Sequence, residues 1–226
     1  HDGTQMRKFA YKGDRHLLTV APTRSGKGVS QIIPNLLTYP GSALVIDPKG
    51  ENAMITAKAR AEMGQDILLI DPWRIATDTA GFPVARFNPL DWLRLGDVDI
   101  TENAMLLADA LVQQDGKDER FWGEEAKALI QGIIMHVAVA AAFDGKRHLG
   151  TVRDLLLLSA PDMKALFQQM ANSPHHIVAS TGARALQKEE RLMANVLASA
   201  QAETHMLDSA RLRQSLSTSD FRFEDL

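Results

Sequence analysis

Short runs of consecutive apolar residues alternate with stretches of helical pattern in the first part of the chain. The runs cover residues 16–20, 43–46 and 67–70, and a turn signal follows each of them. Continuous apolar runs are typical of strands that are buried on both faces of a sheet. Between them, residues 28–38 and 52–63 have patterns typical of helices. This alternation of strand and helix predicts a parallel sheet and therefore the α/β class.

The pattern changes near residue 100, and from there onward the apolar positions follow helical spacing. Thr101 is the expected N-cap of the first helix of this half. Further helices are predicted at residues 151–158, from Pro161, and over a long stretch from about Gln187 to Gln214. The clearest stripe recurs every three or four residues and comprises Trp122, Ala126, Leu129, Ile133, Val137 and Ala140. Such a stripe predicts a helix with one buried face.

Composition and charge exclude several classes of function. The chain has 226 residues with 25 Lys and Arg against 28 Asp and Glu, and its net charge of −3 excludes DNA binding by bulk charge alone. It contains no cysteine, which excludes disulfides, thiolate metal sites and a Cys nucleophile. The seven His residues show no zinc-ligand spacing. No apolar run reaches the roughly 20 residues that a membrane-spanning helix requires.

A glycine-rich segment follows the first predicted strand and precedes the first predicted helix, which is the context of a phosphate-binding P-loop. It reads Ala21-Pro22-Thr23-Arg24-Ser25-Gly26-Lys27-Gly28. Its glycines allow the backbone to wrap around phosphate oxygens, and the helix N-terminus adds a partial positive charge. Lys27 supplies a cation for the β and γ phosphates, which gives it a catalytic role. The predicted nucleotide-binding residues are Thr23, Arg24, Ser25, Gly26, Lys27, Gly28 and Val29.

This segment departs from the general P-loop pattern at both ends. Ala21 stands where the first Gly is usual, and Gly28 stands where a Ser or Thr normally ligates Mg²⁺. The magnesium ligand is therefore unassigned. The alternative interpretation is a tight glycine turn that caps a helix, with Lys27 simply solvated.

Acidic residues follow the predicted strands, and the carboxyl ends of parallel strands line the ligand crevice of an open sheet. On these grounds Asp47 is predicted to be catalytic, holding a Mg²⁺-bound water or the attacking water. The alternative is that Asp47 caps the following helix, with Glu51 in the first turn, where the helix dipole favours an acid. Asp71 follows the third predicted strand and is a candidate for the same reason.

Several segments together resemble the coupling-protein ATPases of type IV secretion and conjugation, the TraG/TraD group. Besides residues 21–28, they are Ile33-Pro34-Asn35-Leu36-Leu37, Gly41-Ser42 and Asp47-Pro48-Lys49-Gly50-Glu51. Asn88-Pro89-Leu90 and Phe121-Trp122 are similar to later landmarks of that family. The resemblance spans residues 15–226 and is strongest before residue 100.

The resemblance implies a RecA-like motor domain that is interrupted by an all-α domain. The expected fold is thus α/β, a partial RecA-like P-loop parallel sheet followed by an all-α domain. Residues 1–100 would form the incomplete nucleotide-binding core, residues 101–215 the all-α substrate or adaptor domain, and residues 216–226 a return toward the core. Because the family's acidic strand follows the all-α domain, an incomplete hydrolysis site is expected here.

The resemblance also implies ATP and Mg²⁺ as cofactors and a homo-hexamer that drives DNA or protein substrates to a secretion channel. Relaxosome or adaptor proteins and channel components are the implied partners. The implied location is the cytoplasmic face of the bacterial inner membrane, through an N-terminal anchor that these residues do not include. Two alternatives stay open: a non-hydrolysing helical substrate-receptor module, and a generic P-loop enzyme such as a nucleotide kinase.

Overall fold

The computed structural model describes residues 11, 13–112 and 120–225. Residues 1–10 and 12 of the predicted core, 113–119 of the predicted all-α domain and 226 of the predicted return lie outside that description. A π-helical turn at Gly28–Ile32 leads into the first α-helix, and 3₁₀ segments occur at Pro89–Trp92, Ala141–Phe143, His205–Asp208 and Phe223–Asp225. The α-helices are α1 (Ile33–Leu36), α2 (Glu51–Glu62), α3 (Thr77–Ala80), α4 (Ile100–Leu111), α5 (Arg120–Val139), α6 (Leu149–Leu156), α7 (Ala160–Ala171), α8 (His176–Gln187), α9 (Glu190–Glu203) and α10 (Ala210–Ser215).

The predicted parallel sheet, and with it the α/β class, is wrong for the part of the chain that the structure describes. Its residues form helices and turns but no strand. The runs at 16–20, 43–46 and 67–70 do not pair with one another, and the parallel contact observed is a single bridge between Leu69 and Val84. A strand requires a neighbour that satisfies its backbone groups. An apolar run reports a tendency to be buried and does not specify such a neighbour.

The side chains of these apolar runs show the same difference from the prediction. Leu18 is 89% exposed and Ile46 is 83% exposed, so these runs contribute little to the core. The segment from His16 to Val20 has no regular secondary structure and leads directly into the glycine-rich loop. The described fold is therefore helical, with an irregular and exposed segment before the loop.

The buried core lies among the helices that follow residue 90. α5 is central, because it packs against α4, α6, α8 and α9. Its fully buried side chains include Ile130, Ile133, Ile134 and Met135. The predicted apolar stripe is confirmed at its centre, where Ala126, Leu129, Ile133 and Val137 are buried. None of the helices within the described residues is both long enough and apolar enough to span a membrane.

Several helix boundaries differ from those predicted. α4 begins at Ile100, so Thr101 lies inside the first turn and is not the N-cap. The long helix expected from Gln187 to Gln214 is wrong, because α8 ends at Gln187 and α9, a 3₁₀ turn and α10 follow. Ser209 has extended backbone and its hydroxyl caps α10 by accepting the Leu212 N–H, at 3.5 Å. A serine cap of this kind ends one helix and starts another.

Glycines allow α8 to approach two neighbouring helices closely. A Cβ atom added at Gly182 would lie 2.6 Å from the Phe167 carbonyl oxygen of α7. A Cβ atom added at Gly132 of α5 would collide with the Thr181 side chain. Both positions therefore require glycine for packing, and both lie in the helical half.

The last described residues lie against the segment that precedes α4. The Arg86 guanidinium and the Asp220 carboxylate form an ion pair of 2.7 Å, and the Phe87 N–H donates to the Ser215 carbonyl at 2.9 Å. The ring of Phe87 contacts those of Phe221 and Phe223. The segments before α4 and after α10 are thus joined to each other.

Candidate functional site

The glycine-rich loop bends at two residues that have left-handed backbone. Arg24 has a φ of 64° and Gly26 has a φ of 85°. Between them, the Ser25 N–H donates to the Pro22 carbonyl at 3.3 Å. Left-handed backbone is natural for Gly26 but costs free energy at Arg24, where a Cβ atom is present. The loop therefore holds a defined curved conformation just before the helix at Gly28.

The helix that starts at Gly28 presents its N-terminus to this loop. The first N–H groups of a helix have no partner within the helix and carry a partial positive charge. Ser30 secures the start, because its N–H and its hydroxyl both donate to the Gly26 carbonyl, at 2.9 Å and 2.7 Å. A Cβ atom added at Gly28 would meet nothing within 4 Å, so there is open space beside the loop. Curved backbone, open space and a helix N-terminus together fit a phosphate group.

Lys27 lies across the same loop. Its ammonium Nζ donates to the Ala21 carbonyl at 3.4 Å, and the side chain is exposed. No carboxylate among the described residues forms an ion pair with it. A long bond to one neutral acceptor leaves most of the donor capacity of the ammonium available. Residues 23–29 thus form one continuous turn and helix start, and Lys27 lies across that turn.

Asp47 is bound to the N-terminus of α2. Its Oδ2 accepts the Ala53 N–H at 2.9 Å, and its Oδ1 accepts from the Asn52 side chain at 3.3 Å. The capping interpretation of Asp47 is therefore observed, and Glu51 occupies the first turn of α2. No hydrogen bond joins Asp47 to the loop at residues 21–29 within the described residues. A carboxylate has about four acceptor positions, so capping and a second ligand are compatible.

Gly50 sets the position of α2 against the next part of the chain. Its φ is 70°, and an added Cβ atom would lie 2.7 Å from the Ala76 Cβ. Only glycine satisfies both the left-handed backbone and this close approach. The turn between Asp47 and α2 is consequently held by the Asp47 hydrogen bonds and by the packing of Gly50 against Ala76.

Asp71 acts as the cap of α3. Its carboxylate accepts the N–H groups of Ile75 at 3.0 Å, Ala76 at 2.8 Å and Thr77 at 3.1 Å. Burial by itself raises the pKa of Asp71, but the backbone N–H groups, led by that of Ala76, outweigh burial and hold the pKa below its usual value. The negative charge of Asp71 is therefore stabilised by the N–H groups at the start of α3.

Arg60 is an important residue of this region that the sequence analysis missed. Its residue exposure is 7%, and its guanidinium donates to the carbonyl of Leu36, the last residue of α1, and to that of Gly41, beyond the helix. Thr56 and Ala57, on the same face of α2, are also buried. The spacing of Thr56, Ala57 and Arg60 was the available signal, because three buried positions at helical intervals include one cation.

The described residues contain no group of three or more His, Asp or Glu side chains that could hold a metal ion. His136 of α5 is buried in the core, and burial lowers its pKa, which favours the neutral ring. Its ring lies edge-on to that of Phe143, with 5.2 Å between the centroids. The surroundings of His136 are those of a core residue.

Comparison with known proteins assigns the family. The sequence model of the family described as "Type IV secretory system Conjugative DNA transfer" matches residues 1–226. The chain belongs to this family. The TraG/TraD-type resemblance seen in the sequence motifs is thereby confirmed.

Individual relatives agree with this assignment. The conjugal transfer protein TraG of Escherichia coli is 32% identical over 225 residues, which are 96% of this chain and 34% of the relative. The type IV secretion system-coupling protein VirD4 of Bartonella quintana (strain Toulouse) is 28% identical over 154 residues, 64% of this chain and 23% of that protein. Protein VirD4 of Agrobacterium fabrum (strain C58 / ATCC 33970) is 47% identical over 57 residues, which are 25% of this chain and 8% of that protein. The chain spans about a third of the length of its TraG relatives.

Proposed function

We propose that this member of the family binds ATP through residues 23–29. One observation carries the proposal: the left-handed positions at Arg24 and Gly26 lead into a helix N-terminus, and the Lys27 ammonium reaches back across the loop to the Ala21 carbonyl. Backbone N–H groups and a single ammonium are the donors that a nucleoside triphosphate requires. The family assignment supports the same choice, because this loop is one of the segments on which the resemblance rests and lies within the matched residues.

The roles of the individual residues follow from their chemistry. ATP with Mg²⁺ supplies the phosphoryl group whose hydrolysis drives work in P-loop proteins. Lys27 would balance charge on the β and γ phosphates, and the N–H groups of residues 24–29 would bind their oxygens. Asp47 would hold a magnesium-bound water or the attacking water through the acceptor positions that capping does not use.

At the level of the cell, we propose that the protein containing this chain couples substrates to a type IV secretion channel during conjugation. The names of its TraG and VirD4 relatives support that role. DNA or protein substrates, relaxosome or adaptor proteins and channel components are the proposed partners. A homo-hexamer at the cytoplasmic face of the inner membrane is the proposed assembly, and the helical half would receive the substrate.

A lysine substitution tests nucleotide binding. A charge-assisted contact contributes about 1.5–3 kcal/mol, so Lys27→Ala should weaken ATP binding about ten- to a hundredfold in a calorimetric titration. Lys164→Ala is the matched control, because Lys164 is an exposed helical lysine of α7 and its loss should leave the affinity unchanged. Equal affinities of the wild type and Lys27→Ala would refute the proposal.

The helical receptor module is a second candidate, and the position of the core favours it. The main cluster of buried apolar residues runs from Leu90 to Leu207, whereas the loop and its flanking runs are largely exposed. The same titration separates the two candidates. A receptor module without a nucleotide function would show no ATP binding in the wild type, and Lys27→Ala would then change nothing.

A further inference from the structure

We propose that Arg60 is a positioning residue for the nucleotide loop and that it acts through the carbonyl end of α1. The proposal rests on the proposed binding of ATP by residues 23–29. Arg60 lies on α2, does not belong to the loop, and belongs to none of the motifs that pointed to nucleotide binding. The nucleotide loop lies at the start of the helical segment that continues into α1, and Arg60 contacts the other end of that segment, at Leu36.

The contacts of Arg60 converge on the last residue of α1 and on the segment that follows it. Its Nη1 donates to the carbonyls of Leu36 at 2.7 Å and Tyr39 at 3.2 Å, and its Nη2 donates to that of Gly41 at 2.7 Å. Gln65 adds a bond to the Pro40 carbonyl at 2.9 Å. The last carbonyls of a helix lack partners within the helix and carry a partial negative charge. The guanidinium satisfies one of them, the Leu36 carbonyl, together with the Tyr39 and Gly41 carbonyls of the segment that follows.

The burial of Arg60 makes these contacts specific. No carboxylate among the described residues forms an ion pair with this guanidinium, and its described acceptors are the three carbonyls. A buried cation requires complete hydrogen bonding. The planar fork of arginine can reach carbonyls in different directions, whereas a lysine ammonium is a single point. The arrangement therefore fixes the end of α1 in one position relative to α2.

The other end of α2 holds Asp47. The Ala53 N–H of its first turn donates to Asp47, while Arg60, in its last turn, holds the end of α1. One helix thus connects both proposed elements of the nucleotide site, the loop with its helix and the carboxylate. A shift of about 1 Å in such positioning is enough to weaken a site considerably. Releasing Arg60 should let the loop helix move relative to Asp47.

Substitutions in the 226-residue chain test this role by ATP titration and by amide hydrogen exchange. Arg60→Gln should weaken ATP binding by about tenfold and speed up exchange in residues 28–41, while exchange in α4–α9 stays unchanged. Arg60→Lys should lie between the wild type and Arg60→Gln. The control is Arg153→Gln, because Arg153 is also buried and also binds a backbone carbonyl, but in the helical half. It should lower the melting temperature and leave the ATP affinity unchanged.

The outcomes are distinguishable. Wild-type affinity in a folded Arg60→Gln would overturn the positioning role while leaving nucleotide binding intact. If Arg60→Gln does not fold, Arg60→Lys decides, and an unchanged affinity in that variant would overturn the role as well. If the wild type itself fails to bind ATP, the proposed function is wrong and the role of Arg60 falls with it. An equal loss of affinity in Arg153→Gln would show that general destabilisation is the cause.

Discussion

Arg153 of α6 and Asp208 are joined by two hydrogen bonds, from Nε at 2.9 Å and from Nη2 at 2.7 Å. The Arg153 side chain is 6% exposed, whereas that of Asp208 is 51% exposed. The same guanidinium donates to the Gln201 carbonyl at 2.6 Å and to the Thr204 hydroxyl at 3.0 Å. Arg153 therefore binds the end of α9 and the turn after it, and connects both to α6.

This ion pair predicts a pH dependence of stability. The hydrogen bond from Arg153 is the main cause that lowers the pKa of Asp208 below its usual value. A carboxyl whose pKa is lower in the folded state stabilises the fold above its unfolded pKa. That contribution is lost as the pH falls through the lowered pKa. Asp208→Asn should therefore lower the melting temperature at pH 7, and the difference from the wild type should shrink toward pH 2.

Thermal melts of the wild type and Asp208→Asn from pH 7 to pH 2 measure this effect. The other carboxyls titrate in both proteins, so their contributions cancel in the difference between the two melting temperatures. Asp162→Asn would not be a suitable control, because the Asp162 carboxylate accepts a hydrogen bond from the Ser159 hydroxyl and its loss would itself change stability. Asp66→Asn serves instead, because Asp66 is exposed and lies outside the helices. A difference for Asp208→Asn that stays constant across the range would show that the charge of Asp208 does not stabilise the fold.

A glycine substitution tests the close packing of α7 and α8. Gly182→Ala should lower the free energy of unfolding by about 1–3 kcal/mol, because the added Cβ atom would meet backbone atoms that have little room to move. Gly123→Ala is the matched control within a helix, since its Cβ would lie 3.9 Å from the nearest atom, a Val112 methyl group. Alanine is the better helix former by about 1 kcal/mol, so that variant should be as stable as the wild type or more stable. Chemical denaturation of the two variants measures both values, and a stable Gly182→Ala would mean that the helices can separate without cost.

The helices of the second half could be predicted because helical periodicity is local. The stripe through Ala126, Leu129 and Ile133 is visible within a few turns, and the structure buries it. The break between α9 and α10 was missed, because Ser209 stands in a stretch with continuous helical spacing. A hydroxyl that caps a helix competes with helix continuation, and the pattern of apolar positions does not record that competition.

The predicted sheet failed for a different reason. Strand pairing joins residues that are distant in sequence, and the runs at 16–20 and 43–46 have no such partner in the described residues. The curvature of the loop at Gly26, by contrast, is encoded locally, because glycine adopts left-handed backbone without strain. Arg60 was missed because its partners are carbonyls, which every residue has, so that no sequence pattern identifies them.

The contacts between the segments before α4 and after α10 predict which fragment of the chain folds most stably by itself. Residues 101–215 should fold alone into a helical unit, as their apolar stripes suggest. Residues 86–225 should melt at a higher temperature, because Leu90 and Leu93 are buried in the core cluster and Arg86 binds Asp220. Far-UV circular dichroism and thermal melts of the two fragments measure this. A disordered spectrum for both would mean that the helices depend on residues before 86.

The two possible roles of Asp47 can be separated by choosing substitutions that preserve or remove its capping oxygen. Asn retains an acceptor for the Ala53 N–H, whereas Ala removes it. Loss of such a cap costs about 0.5–2 kcal/mol, so Asp47→Ala should be less stable than the wild type and Asp47→Asn close to it. If Asp47 also interacts with a magnesium-bound water, the gain in ATP affinity on adding Mg²⁺ should fall about tenfold in both variants, because each lacks the charge.

ATP titrations with and without Mg²⁺ give this gain for the wild type and each variant, and denaturation gives the stabilities. Asp66→Asn controls for the loss of a negative charge elsewhere, since the Asp66 side chain is exposed. A full magnesium effect in Asp47→Asn, together with lower stability of Asp47→Ala alone, would leave Asp47 a cap of α2 and nothing more. Because Asn preserves the cap and removes only the charge, a reduced magnesium effect in a stable Asp47→Asn cannot be attributed to the helix and must come from the carboxylate.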